Sequence, residues 1–206
     1  MLFGRRHTSL AESANYLVVG LGNIGPEYAL TRHNMGFMIL DSWAQESGIV
    51  FSPGRYGSTA SMMYKGRRIH LLKPSTYMNL SGNAVRYWQR KLKIPLANII
   101  IICDDINLPY GTMRLRKGGS SGGHNGLEHI ELCLGTKDYA RIRLGIGKEF
   151  EQGGQIDYVL GRLSDQELEQ IPPLAARILQ GVREYCTVGA DFAMNTLNIR
   201  PGKANI

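Results

Sequence analysis

The chain is short of cysteine, of acidic residues and of long apolar runs. Its three cysteines, Cys103, Cys133 and Cys186, are odd in number and include no CxxC pair. That argues against a disulfide framework or a structural zinc site and fits an intracellular, cytoplasmic setting. No segment approaches the ~20 apolar residues that span a bilayer. The first fourteen residues, MLFGRRHTSLAESA, lack the apolar core of a secretory signal and read as a short flexible extension. The five histidines show neither HExxH nor paired ligand spacing, so no metal is expected. Acidic residues number 17 against 24 lysines and arginines, a formal charge of +7. That excess fits a polyanionic partner, and equally a generally basic, solvated surface.

What is present is a chain of 206 residues, 43% hydrophobic and 20% charged, with no repeat, low-complexity tract or long linker. Those figures describe one globular domain. Asn15–Gly20 (NYLVVG) reads as a buried strand. Asn34 to Ser47 has helical spacing, with Met35, Met38, Ile39, Leu40 and Trp43 on one side and Gly48 as a stop. Ser58–Tyr64 and Arg68–Lys73 flank a Lys65-Gly66 turn and read as a hairpin. Ser81 is placed to cap a helix running to about Lys93, with Val85, Trp88 and Leu92 inward. Asn98–Cys103 (NIIIIC) suits a central strand covered on both faces.

Beyond it, Thr112–Arg116 reads as a strand, and Gly118–Gly123 as a glycine-rich loop entering a helix from Asn125 to Leu134. Arg141–Ile146 alternates basic and apolar residues, which predicts a strand with one solvated face. Ser164 to Glu167 forms a capping box. Pro172 and Pro173 precede a longer helix, about Leu174 to Val188. Interleaved strands and helices predict one α/β domain, a twisted mixed β-sheet flanked by helices, over about residues 15–195. Residues 196–206 read as a tail. The strand order is not legible.

Gly20-Leu21-Gly22-Asn23-Ile24-Gly25 fits GxGxxG after a strand, the dinucleotide fingerprint. A nucleotide site needs a helix to open within that motif. Here helical spacing resumes only after His33, and the nearest acid, Asp41, falls inside the helix. The motif reads better as a turn that brings polar groups to the carboxyl edge of the sheet. Asn23 sits on it, His33 precedes the next helix, and Asp104 and Asp105 end the most buried strand.

A histidine held by an aspartate at such an edge can take a proton from water. The arrangement is a serine-protease triad without its serine. The same residues also suit a helix cap and a turn anchor. Asn79 and His124-Asn125, each before a helix, fit either capping or contact with substrate. Arg114 and Arg116 share one strand face, and Arg141 and Arg143 another. If the strands are neighbours they can form a phosphate-binding patch; otherwise they are surface arginines.

Taken together, VVGLGNIGPEYALTRHNMGF (Val18–Phe37), KPSTYMNLSG (Lys73–Gly82), CDDINLPYGTMRLRKGGSSGGHNGL (Cys103–Leu127) and RIRLGIG (Arg141–Gly147) closely resemble the bacterial-type peptidyl-tRNA hydrolase family. VLGRL near Val159 and the final helix fit as well. The resemblance implies hydrolysis of the ester of peptidyl-tRNA, recycling tRNA from prematurely released chains. It implies a monomer with no metal, cofactor, membrane or obligate protein partner. It matches His33 to the general base, Asp104 to its orienting carboxylate and Asn23 to a substrate-positioning amide. Tyr28, Tyr77, Asn79 and Asn125 match substrate contacts, and Arg116 and Arg143 match positions at the tRNA 5′ phosphate. Three positions depart from the family pattern. Ile24 stands where proline is commoner, Cys103 where histidine is common, and Ser120-Ser121 replace part of a Gly/His run. None of these removes a proposed catalytic group.

Overall fold

The computed structural model describes residues 14–198. The expected extension therefore lies, but for Ala14, outside the described residues, as does most of the expected tail. Seven strands form one mixed sheet: β1 (Asn15–Gly20), β2 (Ser52–Gly54), β3 (Gly57–Tyr64), β4 (Arg67–Pro74), β5 (Ile99–Asp105), β6 (Met113–Arg116) and β7 (Ala140–Gly145). Their spatial order is β2-β3-β4-β1-β5-β7-β6. The inner four, β4-β1-β5-β7, run parallel, while β2, β3 and β6 are added antiparallel at the edges. The helices are α1 (Met35–Ser47), α2 (Ser81–Lys91), α3 (Asn125–Leu134), α4 (Gln155–Leu160), α5 (Asp165–Glu169), α6 (Ile171–Thr187) and α7 (Ala190–Leu197). None is long and apolar enough to cross a membrane.

The unbroken apolar runs of β1 and β5 follow from cover on both faces. Val18, Ile100 and Ile102 pack with Trp43 of α1 and Ile178 of α6, whereas Val19, Ile99 and Ile101 pack with Val85 of α2 and Ile130 of α3. The result is three layers with two cores. β1 lies between β4 and β5: the chain passes from β1 to the β4 side and then crosses back past β1 to β5, so the strand order reverses there. Open α/β sheets form their ligand crevice at such a switch point, outside the carboxyl ends of the strands.

Several local expectations are met. β1 and α3 have the expected ends, and α1 stops at Gly48 with φ 63°, the left-handed conformation glycine adopts without strain. Ser164 and Glu167 form the reciprocal capping box that opens α5.

Others are corrected. Ser81 is not a cap: a 3-10 turn, Met78–Leu80, runs directly into α2, and the Ser81 hydroxyl donates back to the Met78 carbonyl at 2.8 Å. Pro172 and Pro173 lie within the first turn of α6, where a helix tolerates missing N–H donors. The strand with a supposed solvated face is interior. β6 covers its outer edge, α3 covers its face, and Arg141 is 1% exposed. Its guanidinium donates to the carbonyls of Ser120 and Lys137 and pairs with Glu131 at 3.2 Å. The packed domain also continues past residue 195. Leu197 is fully buried, and the Asn198 amide bonds the Leu115 backbone at both N–H and C=O.

Candidate active site

The carboxyl edge of β1 and β5 is brought under α1 by two glycines. A Cβ on Gly20 would lie 2.2 Å from the Gly36 carbonyl oxygen, and one on Gly36 would lie 2.3 Å from the Leu21 nitrogen. The start of α1 therefore rests backbone to backbone on the strand ends. That contact accounts for the first glycine of the GxGxxG run without any nucleotide. No helix opens within the motif; 3-10 turns occupy Pro26–Tyr28 and Arg32–Asn34 before α1 begins.

His33 lies in the second of these turns, and both of its neighbours are tied down. Arg32 grips both oxygens of the Glu167 carboxylate at 3.0 and 3.2 Å and stacks over the Tyr158 ring. The Asn34 side chain accepts from the Asn23 N–H at 2.8 Å and donates to the Asn23 carbonyl at 3.0 Å. The imidazole between them is fixed from both sides. Its Nδ1 lies 3.0 and 2.9 Å from the two oxygens of Asp104, which is 3% exposed.

Asp104 is shared. His124 Nε2 lies 3.1 Å from its Oδ1. His124 Nδ1 meanwhile accepts the N–H groups of Gly126 and Leu127, at 3.1 and 3.3 Å, as the N-cap of α3. A ring nitrogen that accepts two N–H bonds carries no hydrogen, so the hydrogen of neutral His124 is on Nε2 and points at Asp104. Asp104, an acceptor only, likewise requires the Nδ1–H tautomer of His33. Nε2 of His33 is thereby left with its lone pair, and the ring lines a cleft.

His33, Asp104 and His124 are the group among the described residues with metal-ligand proximity. Their donor chemistry does not fit a cation. The cap leaves His124 Nε2 as a donor, and a metal there would force a proton onto Nδ1 against two backbone N–H groups.

The electrostatics follow from the same contacts. Burial disfavours the His33 imidazolium, but the Asp104 carboxylate outweighs it, and the His33 pKa is raised above 6.5. Burial would likewise raise the Asp104 carboxyl, yet the His33 and His124 imidazoles hold it below the usual carboxylate range. The His33–Asp104 contact contributes to both shifts, and His124 adds to that of Asp104.

The other candidate residues divide by exposure. Asn23 is 8% exposed, and its Oδ1 accepts the Met78 N–H at 2.7 Å. Its Nδ2 makes no bond among the described residues. Asn79 and Asn125 are exposed at the starts of α2 and α3, and their side chains cap neither helix. Asn79 therefore does not serve as a cap, and in the His124-Asn125 pair the histidine does. Tyr77 is 55% exposed beside Met78, and Tyr28 is half-buried in the first 3-10 turn. Gly122, Gly123 and Asn125 frame one side of the cleft, and Gln155, Ile156 and Val159 of α4 the other.

The basic strands are neighbours, with Arg114 opposite Arg143 and Arg116 opposite Arg141. Only part of the expected patch is free. Arg141 is buried. Arg143 pairs with Asp105 at 3.0 Å and donates to the Ser120 and Ser121 carbonyls, bracing the glycine-rich loop against β5. Arg114 and Arg116 are exposed. Sequence reasoning missed Asn34 and the bond from His124 to Asp104. Contiguity with His33 marked the first, but nothing local marks the second.

A model of the peptidyl-tRNA hydrolase family matches residues 17–205. The chain belongs to the peptidyl-tRNA hydrolase family. It is 55% identical over 183 residues to a peptidyl-tRNA hydrolase of Phocaeicola vulgatus, covering 89% of this chain and 98% of that protein. It is 40% identical over 184 residues to one from Chlorobium phaeobacteroides, covering 88% and 97%. The crystal structure of the Acinetobacter baumannii peptidyl-tRNA hydrolase superposes with a TM-score of 0.83 at 34% identity, covering 90% of this chain and 95% of that one.

Proposed function

We propose that this chain hydrolyses the ester joining a peptide to the terminal ribose of tRNA, with water as the nucleophile and His33 as general base. The observation that carries the reading is the His33–Asp104 pair, with Nδ1 tied to a buried carboxylate and Nε2 left open to a cleft. Family membership supports the substrate.

His33 Nε2 takes a proton from water as its oxygen adds to the ester carbonyl. Asp104 stabilises the imidazolium that forms. The Asn23 Nδ2 hydrogens, oriented by the Met78 bond at Oδ1, donate to a carbonyl oxygen of the bound peptidyl ester. The bond from the carbonyl carbon to the ribose oxygen then breaks, and the proton on His33 passes to that oxygen. Asn79, Asn125, Tyr28 and Tyr77 contact the substrate around the cleft. Arg116 and Arg143 meet the tRNA 5′ phosphate. No metal or cofactor enters. The protein works as a monomer in the cytoplasm and returns tRNA from prematurely released peptidyl-tRNA.

The test is hydrolysis of N-acetyl-aminoacyl-tRNA by the purified protein in EDTA, with His33→Ala alongside. Wild-type turnover that falls ~10²–10⁴-fold in the variant is expected for loss of a general base. Equal turnover in both removes His33 from the mechanism. Absence of turnover in both, with tRNA still bound, makes the protein an RNA-binding module.

A further inference from the structure

Away from the cleft, one surface gathers cations that nothing neutralises. α2 carries Arg86, Arg90 and Lys91 and no acidic residue. Beside it lies the β2–β3 turn, Arg55-Tyr56, and the two are joined in one open depression. Among the described residues, Arg55, Arg86, Arg90 and Lys91 form no ion pair; other cations share that, but these four line one depression together.

The surface is also built. The turn is pinned by Trp88 Nε1 donating to the Arg55 carbonyl at 2.9 Å and by the Ser75 N–H donating to the Tyr56 carbonyl at 2.9 Å. Tyr56 and Tyr87 meet edge to face with centroids 5.5 Å apart. The Arg55 guanidinium stands 5.2 and 5.3 Å from their ring centres, and Lys91 lies 4.4 Å from that of Trp88. Unpaired guanidinium forks beside partly exposed aromatic rings suit a sugar-phosphate backbone, which offers oxygens to the forks and faces to the rings.

From these contacts we infer that the α2 surface is a second tRNA-docking face, holding the body of the substrate's tRNA away from its reactive end. The inference rests on the substrate being a tRNA ester. Position favours the substrate's own tRNA as occupant. α2 starts just after Met78, whose N–H is held by Asn23, so Arg86 and Arg90 lie about 8 and 14 Å along it at 1.5 Å per residue. α2 also packs beside α3, on the sheet face that carries Arg114 and Arg116: paired residues of β6 and β7 point the same way, and Arg141 reaches Glu131 of α3. A polyanion with its end at His33 lies across that face.

The test uses Arg86→Ala/Arg90→Ala, two exposed changes that leave helix propensity intact, with Arg86→Lys/Arg90→Lys as the charge-preserving control. Affinity for deacylated full-length tRNA is measured from about 50 to 200 mM salt, where counterion release dominates. Turnover is measured on N-acetyl-aminoacyl-tRNA and on a short N-acetyl-aminoacyl CCA oligonucleotide. The alanine variant is expected to bind tRNA on the order of tenfold more weakly, with a salt slope shallower by about 2, one per lost phosphate contact. KM for the full-length ester rises in parallel, while kcat and hydrolysis of the short ester stay unchanged, and the lysine variant keeps the wild-type slope. An unchanged slope and KM, or an equal loss on the short ester, overturns the proposal. If the wild type hydrolyses neither ester, the catalytic reading fails, and the salt slopes still decide the docking face.

Discussion

Replacing Asp104 with asparagine alters the site by one atom, and the structure fixes how that atom is read. The amide oxygen must stay opposite His124, because His124 Nε2 carries a hydrogen that two α3 N–H bonds to Nδ1 prevent from moving. Turning the amide round would give up those capping bonds, at about 1 kcal/mol or more. The asparagine NH₂ therefore takes the Oδ2 position, 2.9 Å from His33 Nδ1 in the wild type. An N–H group there repels His33 Nδ1–H and leaves it only the amide oxygen, 3.0 Å away and already accepting from His124, so the balance moves toward the Nε2–H tautomer, which lacks the lone pair that accepts the water proton. The imidazolium also loses its counter-charge. The same exchange in the serine-protease triad lowers kcat about 10⁴-fold by the wrong tautomer, and a loss of that order is expected here. Asp104 is nearly fully buried, so tRNA affinity should change little. Single-turnover hydrolysis of N-acetyl-aminoacyl-tRNA measures the rate, filter binding the affinity, and ¹⁵N NMR of the imidazoles the tautomer. Turnover within about tenfold of wild type with His33 still protonated at Nδ1 would refute the reasoning.

The raised His33 pKa places the acid limb of the kcat/KM profile above pH 6.5, and in Asp104→Asn that limb should move down; a limb that stays put would separate it from His33. For stability, a raised histidine pKa contributes fully below the unfolded value of 6.5 and fades as pH rises through the folded value. Asp104, depressed from 3.8, gives a contribution that persists above 3.8 and goes only as pH falls through its lower folded value; urea midpoints across that acid range, compared with Asp104→Asn, measure it. Gly36→Ala would set a methyl 2.3–2.6 Å from backbone atoms of Leu21 and Ile102, which cannot swing aside. A loss of about 3 kcal/mol in urea unfolding is expected, with a fall in turnover as the turn carrying His33 shifts; a change below ~0.5 kcal/mol would show that the helix moves freely on the sheet.

Much of this protein is written locally. Leu17–Gly20 and Ile99–Cys103 are apolar on every residue because helices cover both faces, and a short apolar β-branched run states that directly. Gly48, the Ser164–Glu167 box and the Asn125 start of α3 are signals carried within a few residues, so spacing alone located them. Asn23, His33 and Asp104 stood out for the same reason, each at the end of a legible element. What spacing could not carry was adjacency. Arg141 and Arg143 look like a solvated stripe until β6 and α3 cover them, and their charges then serve the loop and β5 rather than a free patch. His124 reads as a helix cap, and it is one; that its other nitrogen reaches Asp104, twenty residues away, depends on where the glycine-rich loop folds back. Strand order, the sharing of one carboxylate by two imidazoles and the choice of tautomer all depend on contacts between distant segments, and these exist only once the two cores have packed the helices onto the sheet.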